Sequence, residues 1–401
     1  MPEKAYPYII VGGGLAGASA VEGIREIDQN GEILLVGAEE HQPYDRPPLT
    51  KKLWWGKKQV KDIFLHEEKF YQENGVTLAL GKRIEAVAPR EHLIRDQQWN
   101  QFQYGKLLLA TGGVPRRLDI PGGDLENVCY YRTLDDYQRS RQAATAGASI
   151  LLIGGGFIGS EMAASLQRNQ VQVTMIFPGE YLCQRVFPRT LGLALQGIFQ
   201  ERGIRILAGD APAAISLHNG KLQARTKKGQ TVEADFVIAG LGVEPEIALA
   251  RSGNLLIEHG IKVDDHLATS DEDIYAAGDN AWWFSPLLQR FGRVEHWDNA
   301  LNQGKHAGRN MAGAYVPFDY QPYFFSDLFE FGYEAVGLCD ARLETYADWQ
   351  QENRRGVIYY QENGKVVGVM LWDIYGQVDA ARGLIRQGID ARPEVLAGMI
   401  K

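Results

Sequence analysis

Two glycine fingerprints, Gly12-Gly13-Gly14-Leu15-Ala16-Gly17 and Gly154-Gly155-Gly156-Phe157-Ile158-Gly159, stand 142 positions apart in this chain. Each follows an apolar run that reads as a strand, Tyr8-Ile9-Ile10-Val11 and Ile150-Leu151-Leu152-Ile153, and each leads into an alanine-rich helical pattern. In a strand, turn and helix of this kind the first glycine permits the tight turn. The second lets the backbone approach a pyrophosphate, and the third allows close helix packing, with the phosphates on the helix N-terminus. One match alone would read as well as a glycine turn in a ligand-free βαβ unit. Two, each in full context, predict an α/β protein whose two Rossmann-like units hold two dinucleotides.

At 401 residues the chain exceeds what one core usually organises, so two or three domains are expected. The composition, 45% hydrophobic and 23% charged, is that of a globular protein. No apolar stretch approaches the ~20 residues that span a bilayer. A net charge of -8 argues against a general nucleic-acid binder, which needs a basic surface. Only five residues precede the first strand near Tyr6, too few for a targeting segment, and a cytoplasmic location is expected.

Cys129, Cys183 and Cys339 are widely separated, and none lies near the first fingerprint. Disulfide chemistry at a cofactor needs two nearby thiols, so these are read as small buried hydrophobes and cysteine redox chemistry is set aside. The histidines show no metal-ligand spacing, and no metal is assigned.

Strands, glycine turns and helical patterns alternate to about residue 120, where Ala110-Thr111-Gly112-Gly113-Val114-Pro115 ends a strand in a Gly/Pro break. The second unit closes the same way, at Asp235 to Pro245. Ile274-Tyr275-Ala276-Ala277-Gly278-Asp279 then reads as a short strand delivering an acid after glycine, and a helix is expected from about Asn299 to Met311. From Phe318 onward short runs rich in Tyr, Phe, Val and Trp, with a hairpin signal at Glu362-Asn363-Gly364, predict a small antiparallel sheet capped by a terminal helix.

Pro43-Tyr44-Asp45-Arg46-Pro47-Pro48-Leu49-Thr50-Lys51, the two strand-glycine segments, Ala276-Ala277-Gly278-Asp279 and Phe324-Phe325-Ser326-Asp327-Leu328 together resemble the two-dinucleotide flavoprotein reductases over nearly the whole chain. Within that family they resemble the branch of apoptosis-inducing factor and the oxygenase-coupled ferredoxin reductases. Gly332 to Gly337, Gly356 to Tyr360 and Val369 to Asp373 look more like the former. The resemblance implies FAD on the first fingerprint and NADH on the second. It also implies an FAD-binding domain at 1–122 and 246–318, interrupted by an NAD-binding domain at 123–245. The remaining 319–401 would be a small α+β domain of the dimerisation or interface type, which leaves a homodimer open.

The same resemblance gives roles to single residues. Lys51 and Glu161 would form an ion pair beside the reactive flavin nitrogen, where an ammonium stabilises negative charge building on the ring. By residue type alone, Lys51 would be a solvated lysine beside Lys52. Glu295 and His296 would line the nicotinamide face, and Phe325 would stack where relatives often carry Trp. Arg46, Ile84, Arg132 and Asp279 would contact FAD, and Arg185 and Gly242 the NADH side. Asp279 also reads as an N-cap. The usual ribose-binding acids are absent, with Ala38 and Gly179 in their places and Glu39 and Glu180 one residue later. Each glutamate serves either as the shifted acid or as a solvated surface group. Glu180 would repel a 2′-phosphate, which favours NADH over NADPH.

From Arg46 to Lys61 six basic residues stand with no acid between them. This run either steers an acidic ferredoxin-like partner or is a solvated face. Trp54 and Trp55 within it read as core or domain-contact residues. The sequence reading is therefore an FAD-dependent NAD(P)H oxidoreductase resembling apoptosis-inducing factor. Its alternatives are the ferredoxin or rubredoxin reductase component of an oxygenase, and an NADH-sensing interaction module of slow turnover.

Overall fold

In the computed structural model, which describes residues 4–400, the chain forms two compact units. The first contains the chain up to Asp45, Val60–Val114 and Glu244–Pro322. The second contains Arg46–Gln59, Pro115–Val243 and the chain from Tyr323 onward.

The first unit is built on a sheet in the order Val76–Ala79, Ile33–Val36, Lys4–Val11, Gln101–Leu109, Leu93–Asp96, Ile84–Ala88, with Ile274–Ala276 also paired to Gln101–Leu109. The first four strands and Ile274–Ala276 run parallel, with Ile10 opposite both Leu35 and Leu108. Strands covered on both faces need continuous apolar runs. Ile9, Ile10, Leu107, Leu108 and Leu109 supply them and are fully buried. Helix Leu15–Ile27 packs along helix Trp297–Met311 on small residues: a Cβ on Gly304 would fall 2.2 Å from the Ala16 carbonyl oxygen, and one on Gly308 2.2 Å from that of Ala20. The alanines and glycines that mark both helices in the sequence are thus what lets their backbones touch.

The second unit repeats the plan with Arg205–Ala208, Gln172–Phe177, Ser149–Ile153, Phe236–Ala239 and Val128–Tyr130, all parallel. In both units the fingerprint strand has its crossover neighbour on one side and a later strand on the other. That reversal of strand order is where open α/β sheets bind ligands, at the carboxyl ends of the strands.

The five-stranded antiparallel sheet of Tyr323–Leu328, Phe331–Gly337, Lys365–Trp372, Arg355–Glu362 and Glu344–Gln351 belongs to the same compact unit, with helix Val378–Gln387 packed on it. The hairpin expected at Asn363-Gly364 forms with both residues at positive φ, 53° and 73°. Phe157 meets Phe324 at 5.7 Å between ring centroids, and Phe187 meets Trp372 edge-on at 5.4 Å, joining this sheet to the second fingerprint unit.

Candidate active site

The two fingerprints fold alike. Gly12 (φ +135°) and Gly154 (φ +125°) adopt a backbone closed to other residues, and a Cβ there would lie 2.0 Å from the Ala110 carbonyl oxygen and 2.2 Å from that of Gly240. A Cβ on Gly17 or Gly159 would strike the carbonyl of Gly12 or Gly154 at 2.1 Å, which is the close helix packing expected of the third glycine. The middle glycines differ in kind. Around Gly14 and Gly156 nothing lies within 4 Å of the place a Cβ would take.

These two residues cap helices Leu15–Ile27 and Phe157–Arg168 with no side-chain hydrogen bond, and neither first turn carries an acid. An uncapped helix start offers free N–H groups and a positive dipole end. Open space at the middle glycine together with an uncapped start fits a pyrophosphate at each fingerprint. Ile158, 39% exposed at the start of the second helix, leaves an apolar surface beside the second cradle.

The acids after the second strand of each unit behave differently from one another. Glu39 is half-buried and accepts a 2.6 Å hydrogen bond from the Tyr44 hydroxyl, which fixes its orientation. Glu180 is exposed and ion-paired with Arg189, the first residue of helix Arg189–Glu201. Arg189 lies nine residues beyond Glu180 and escaped the sequence reading, which looked for a basic residue directly at the strand end. Arg185 is exposed, and Gly242 (φ +86°) offers its carbonyl to the Arg116 N–H. The Ile84 side chain is buried in the core of the first unit.

In the first unit, helix Trp297–Met311 organises the rest. Its Gln303 side chain accepts the Gly278 N–H at 2.9 Å, fixing the turn that presents half-buried Asp279. Its N-cap is His296. Glu295 is exposed and paired with Arg293 at 2.5 Å, and Arg293 also donates to the Asp279 carbonyl at 2.8 Å. Desolvation pushes the His296 imidazole from its usual 6.5 down to about 4, against the opposite pull of the Asp279 carboxylate. The ring is therefore neutral at pH 7.

A base with a depressed folded pKa contributes stability that is complete above the unfolded value and is lost as pH falls from 6.5 toward 4. His296→Gln is expected to flatten that part of the stability profile. Urea midpoints measured between pH 7 and 4 with the same slope in variant and parent would show that the ring titrates normally.

The second unit gathers Lys51, Glu161 and Phe325. Pro47 and Pro48 open a 3-10 turn over Pro47–Thr50, and Lys51 ends it. The turn is strapped in place: the Leu49 carbonyl accepts from Trp54 Nε1 at 2.8 Å and from the Tyr131 hydroxyl at 2.5 Å, and the Thr50 carbonyl from the Ser165 hydroxyl at 2.6 Å. Trp54 is buried, and Trp55 Nε1 donates to Ser165 at 3.1 Å, so both tryptophans are packing residues. Arg46 donates to the Arg132 carbonyl at 2.6 Å.

Lys51, only 3% exposed, sets its ammonium 3.4 Å from Glu161 Oε1, 3.5 Å from Asp327 Oδ2 and 4.7 Å from the centre of the Phe325 ring. Glu161 accepts hydrogen bonds from the Thr50 and Ser326 hydroxyls. Thr50, Ser326 and Asp327 lay inside motifs read from the sequence, yet nothing marked them as partners of the pair. Of the other predicted site residues, Gly12 to Gly17, Glu39, Ile84, Asp279, Glu295 and His296 lie in the first unit, and Arg46, Arg132, Gly154 to Gly159, Glu180, Arg185 and Gly242 in the second.

Cys129 and Cys183 are buried, and desolvation pushes each thiol up to about 12; Cys339 is raised for the same reason. A thiol that stays protonated is neither nucleophile nor disulfide partner at neutral pH. Asp264, Asp265 and His266 bring ligand atoms within 4.8 Å of one another on the surface, as exposed acidic groups often do without an ion. Among the described residues no helix is long and apolar enough to cross a membrane.

Residues 6–304 match the family model of pyridine nucleotide-disulphide oxidoreductases, and residues 307–355 and 347–387 that of the mitochondrion-associated C-terminal domain of apoptosis-inducing factor. The chain is 32% identical to the ferredoxin–NAD(+) reductase component of the anthranilate 1,2-dioxygenase system of Burkholderia cepacia, over 98% of this chain and 97% of that protein. It is 31% identical to mitochondrial apoptosis-inducing factor 1 of Dictyostelium discoideum, over 95% and 78%. Among solved structures it is similar to putidaredoxin reductase in covalent complex with putidaredoxin, with a TM-score of 0.92, 28% identity, and coverage of 99% of this chain and 96% of that one.

Proposed function

We propose, from the premise that this chain belongs to the pyridine nucleotide-disulphide oxidoreductase family, that it is a cytoplasmic FAD-dependent NADH oxidoreductase whose electrons leave through a flavin rather than a thiol pair. The observation that carries this reading is the buried Lys51–Glu161 pair under Phe325, in a chain with two open glycine cradles. Bound FAD supplies the redox chemistry, taking two electrons from NADH and releasing them to an acceptor.

The residues divide the remaining work. Gly12, Gly14 and Gly17 hold the FAD pyrophosphate on a helix start, with Glu39 and Asp279 on its ribose and ribityl hydroxyls. Gly154, Gly156 and Gly159 do the same for NADH, with Glu180 on the adenosine ribose. Lys51 offers positive charge where the flavin gains electrons, and burial makes that charge count, since little water screens it. Phe325 gives the nicotinamide an aromatic face. Neutral His296 orients it without adding a second cation.

A second reading names the acceptor. The chain covers 97% of a ferredoxin–NAD(+) reductase component and is similar in fold to a putidaredoxin reductase. Lys52 and Lys57 are exposed on the basic segment next to Lys51. An acidic iron–sulfur protein docking there would be steered by charge. The terminal sheet is the surface we assign to a homodimer.

One anaerobic stopped-flow experiment tests these statements. NADH is expected to bleach the bound flavin with a higher second-order rate constant than NADPH, and Glu180→Ala should narrow that preference by releasing Arg189 toward a 2′-phosphate. A second mix should discharge the reduced protein onto a ferredoxin in a salt-dependent way. Protein that binds no FAD would defeat the proposal. Preference for NADPH would defeat the role of Glu180. A reduced protein that ferredoxin leaves untouched would defeat the second reading.

A further inference from the structure

Resting on the reading that Lys51 serves the flavin, we propose that Thr50 and Ser326 are positioning residues: their hydroxyls hold the Glu161 carboxylate so that the Lys51 ammonium stays poised between two carboxylates instead of closing onto one. Each oxygen of Glu161 has its own hydroxyl donor, Thr50 Oγ1 on Oε2 and Ser326 Oγ on Oε1 at 2.5 Å. The Thr50 hydroxyl has one proton and a second acceptor, the Pro47 carbonyl at 3.3 Å, and the nearer, charged acceptor takes it.

A charge-assisted N–H···O bond closes to about 2.7–2.9 Å. The ammonium instead stands 3.4 Å from Glu161 and 3.5 Å from Asp327. The ammonium is thus held near both carboxylates without being clamped onto either. Thr50, Lys51 and Ser326 are each 3% exposed and Glu161 7%, so water does not fill in for a missing donor.

The donors are rigid. Thr50 is fixed by its own carbonyl to Ser165, one turn after Glu161 on the same helix, so that helix grips the 3-10 turn twice. Ser326 sits in a strand held in register against Phe331–Gly337, opposite Tyr333. A buried carboxylate oxygen that loses its donor takes the nearest one left. Here that is Lys51. Removing the hydroxyls therefore draws the ammonium onto Glu161 and away from the flavin, making FAD harder to reduce with no contact to either nucleotide changed.

The test compares Thr50→Val, Ser326→Ala, the double variant and the conservative Ser326→Thr with Lys51→Met. FAD stoichiometry, the reduction potential of bound FAD, the limiting rate of reduction and the KM for NADH are read for each. Expected in the double variant, which lacks both hydroxyl donors, are a more negative potential and a roughly tenfold slower limiting rate. KM and stoichiometry should stay unchanged, and Ser326→Thr should restore both potential and rate. An unmoved potential and rate in Thr50→Val and Ser326→Ala, while Lys51→Met shifts both, would overturn the positioning role and leave the Lys51 reading standing. If Lys51→Met also shifts neither, the Lys51 reading falls and this inference with it. Should the double variant lose its flavin, the single variants decide by the same readings.

Discussion

Lys51→Met is expected to slow reduction of the bound flavin by NADH by about 10²–10³-fold, the usual consequence of removing one preorganised charge or donor from a site where charge develops. The effect should fall on the limiting rate and spare KM, because Lys51 acts on the electrons and not on nucleotide binding. The substitution also has a structural cost. It strands Glu161 in a buried site, and breaking a buried pair from one side costs about 3–5 kcal/mol. A drop in Tm is therefore expected alongside the slower rate, and the two must be separated. The double variant Lys51→Met with Glu161→Gln removes both charges, leaving the Thr50 and Ser326 hydroxyls an amide to bond. It should recover most of the lost Tm and none of the lost rate. Recovery of rate together with Tm would mean that Lys51 only supports the fold.

The second large effect is expected at the glycines, where the same mutation should do opposite things within one motif. Gly12→Ala places a methyl 2.0 Å from a backbone oxygen at φ +135°, and neither atom can move without tearing the sheet. A loss of about 4 kcal/mol or more is expected, a large part of the 5–15 kcal/mol a domain has, and soluble yield should collapse. Gly14→Ala and Gly156→Ala meet nothing within 4 Å, and their φ values, -99° and -88°, suit any residue. The fold should tolerate them. A methyl there occupies the approach of a pyrophosphate, so Gly14→Ala should be folded but poor in FAD. Gly156→Ala should keep its FAD and raise KM for NADH roughly tenfold or more, about 1.4 kcal/mol. Full FAD content in Gly14→Ala and an unchanged KM in Gly156→Ala would remove the dinucleotides from these cradles.

Legibility followed the range of the interaction. The fingerprints, the helix now seen as Trp297–Met311 and the Asn363-Gly364 hairpin are local patterns: a strand period, a helix period or a turn that needs positive φ. Each can be read within a window of a dozen residues. The two-dinucleotide reading came the same way, and family resemblance added FAD, NADH, Lys51 and Glu161. Arg189 was missed because its partner Glu180 is nine residues away across a loop of no fixed period.

By itself, then, the sequence determined two parallel-sheet units, each opening a helix at a glycine turn, and a terminal antiparallel sheet, because backbone geometry and apolar periodicity act between near neighbours. Only the tertiary structure decided that Arg46–Gln59, a segment of the first third of the chain, belongs to the compact unit of the second fingerprint. Only it brought Thr50 to Glu161 across 111 residues and Ser326 to the same carboxylate across 165. A hydroxyl carries no signal of which distant carboxylate it will meet. That choice is made when burial strips the water from Glu161 and the packed backbone leaves those two donors within reach.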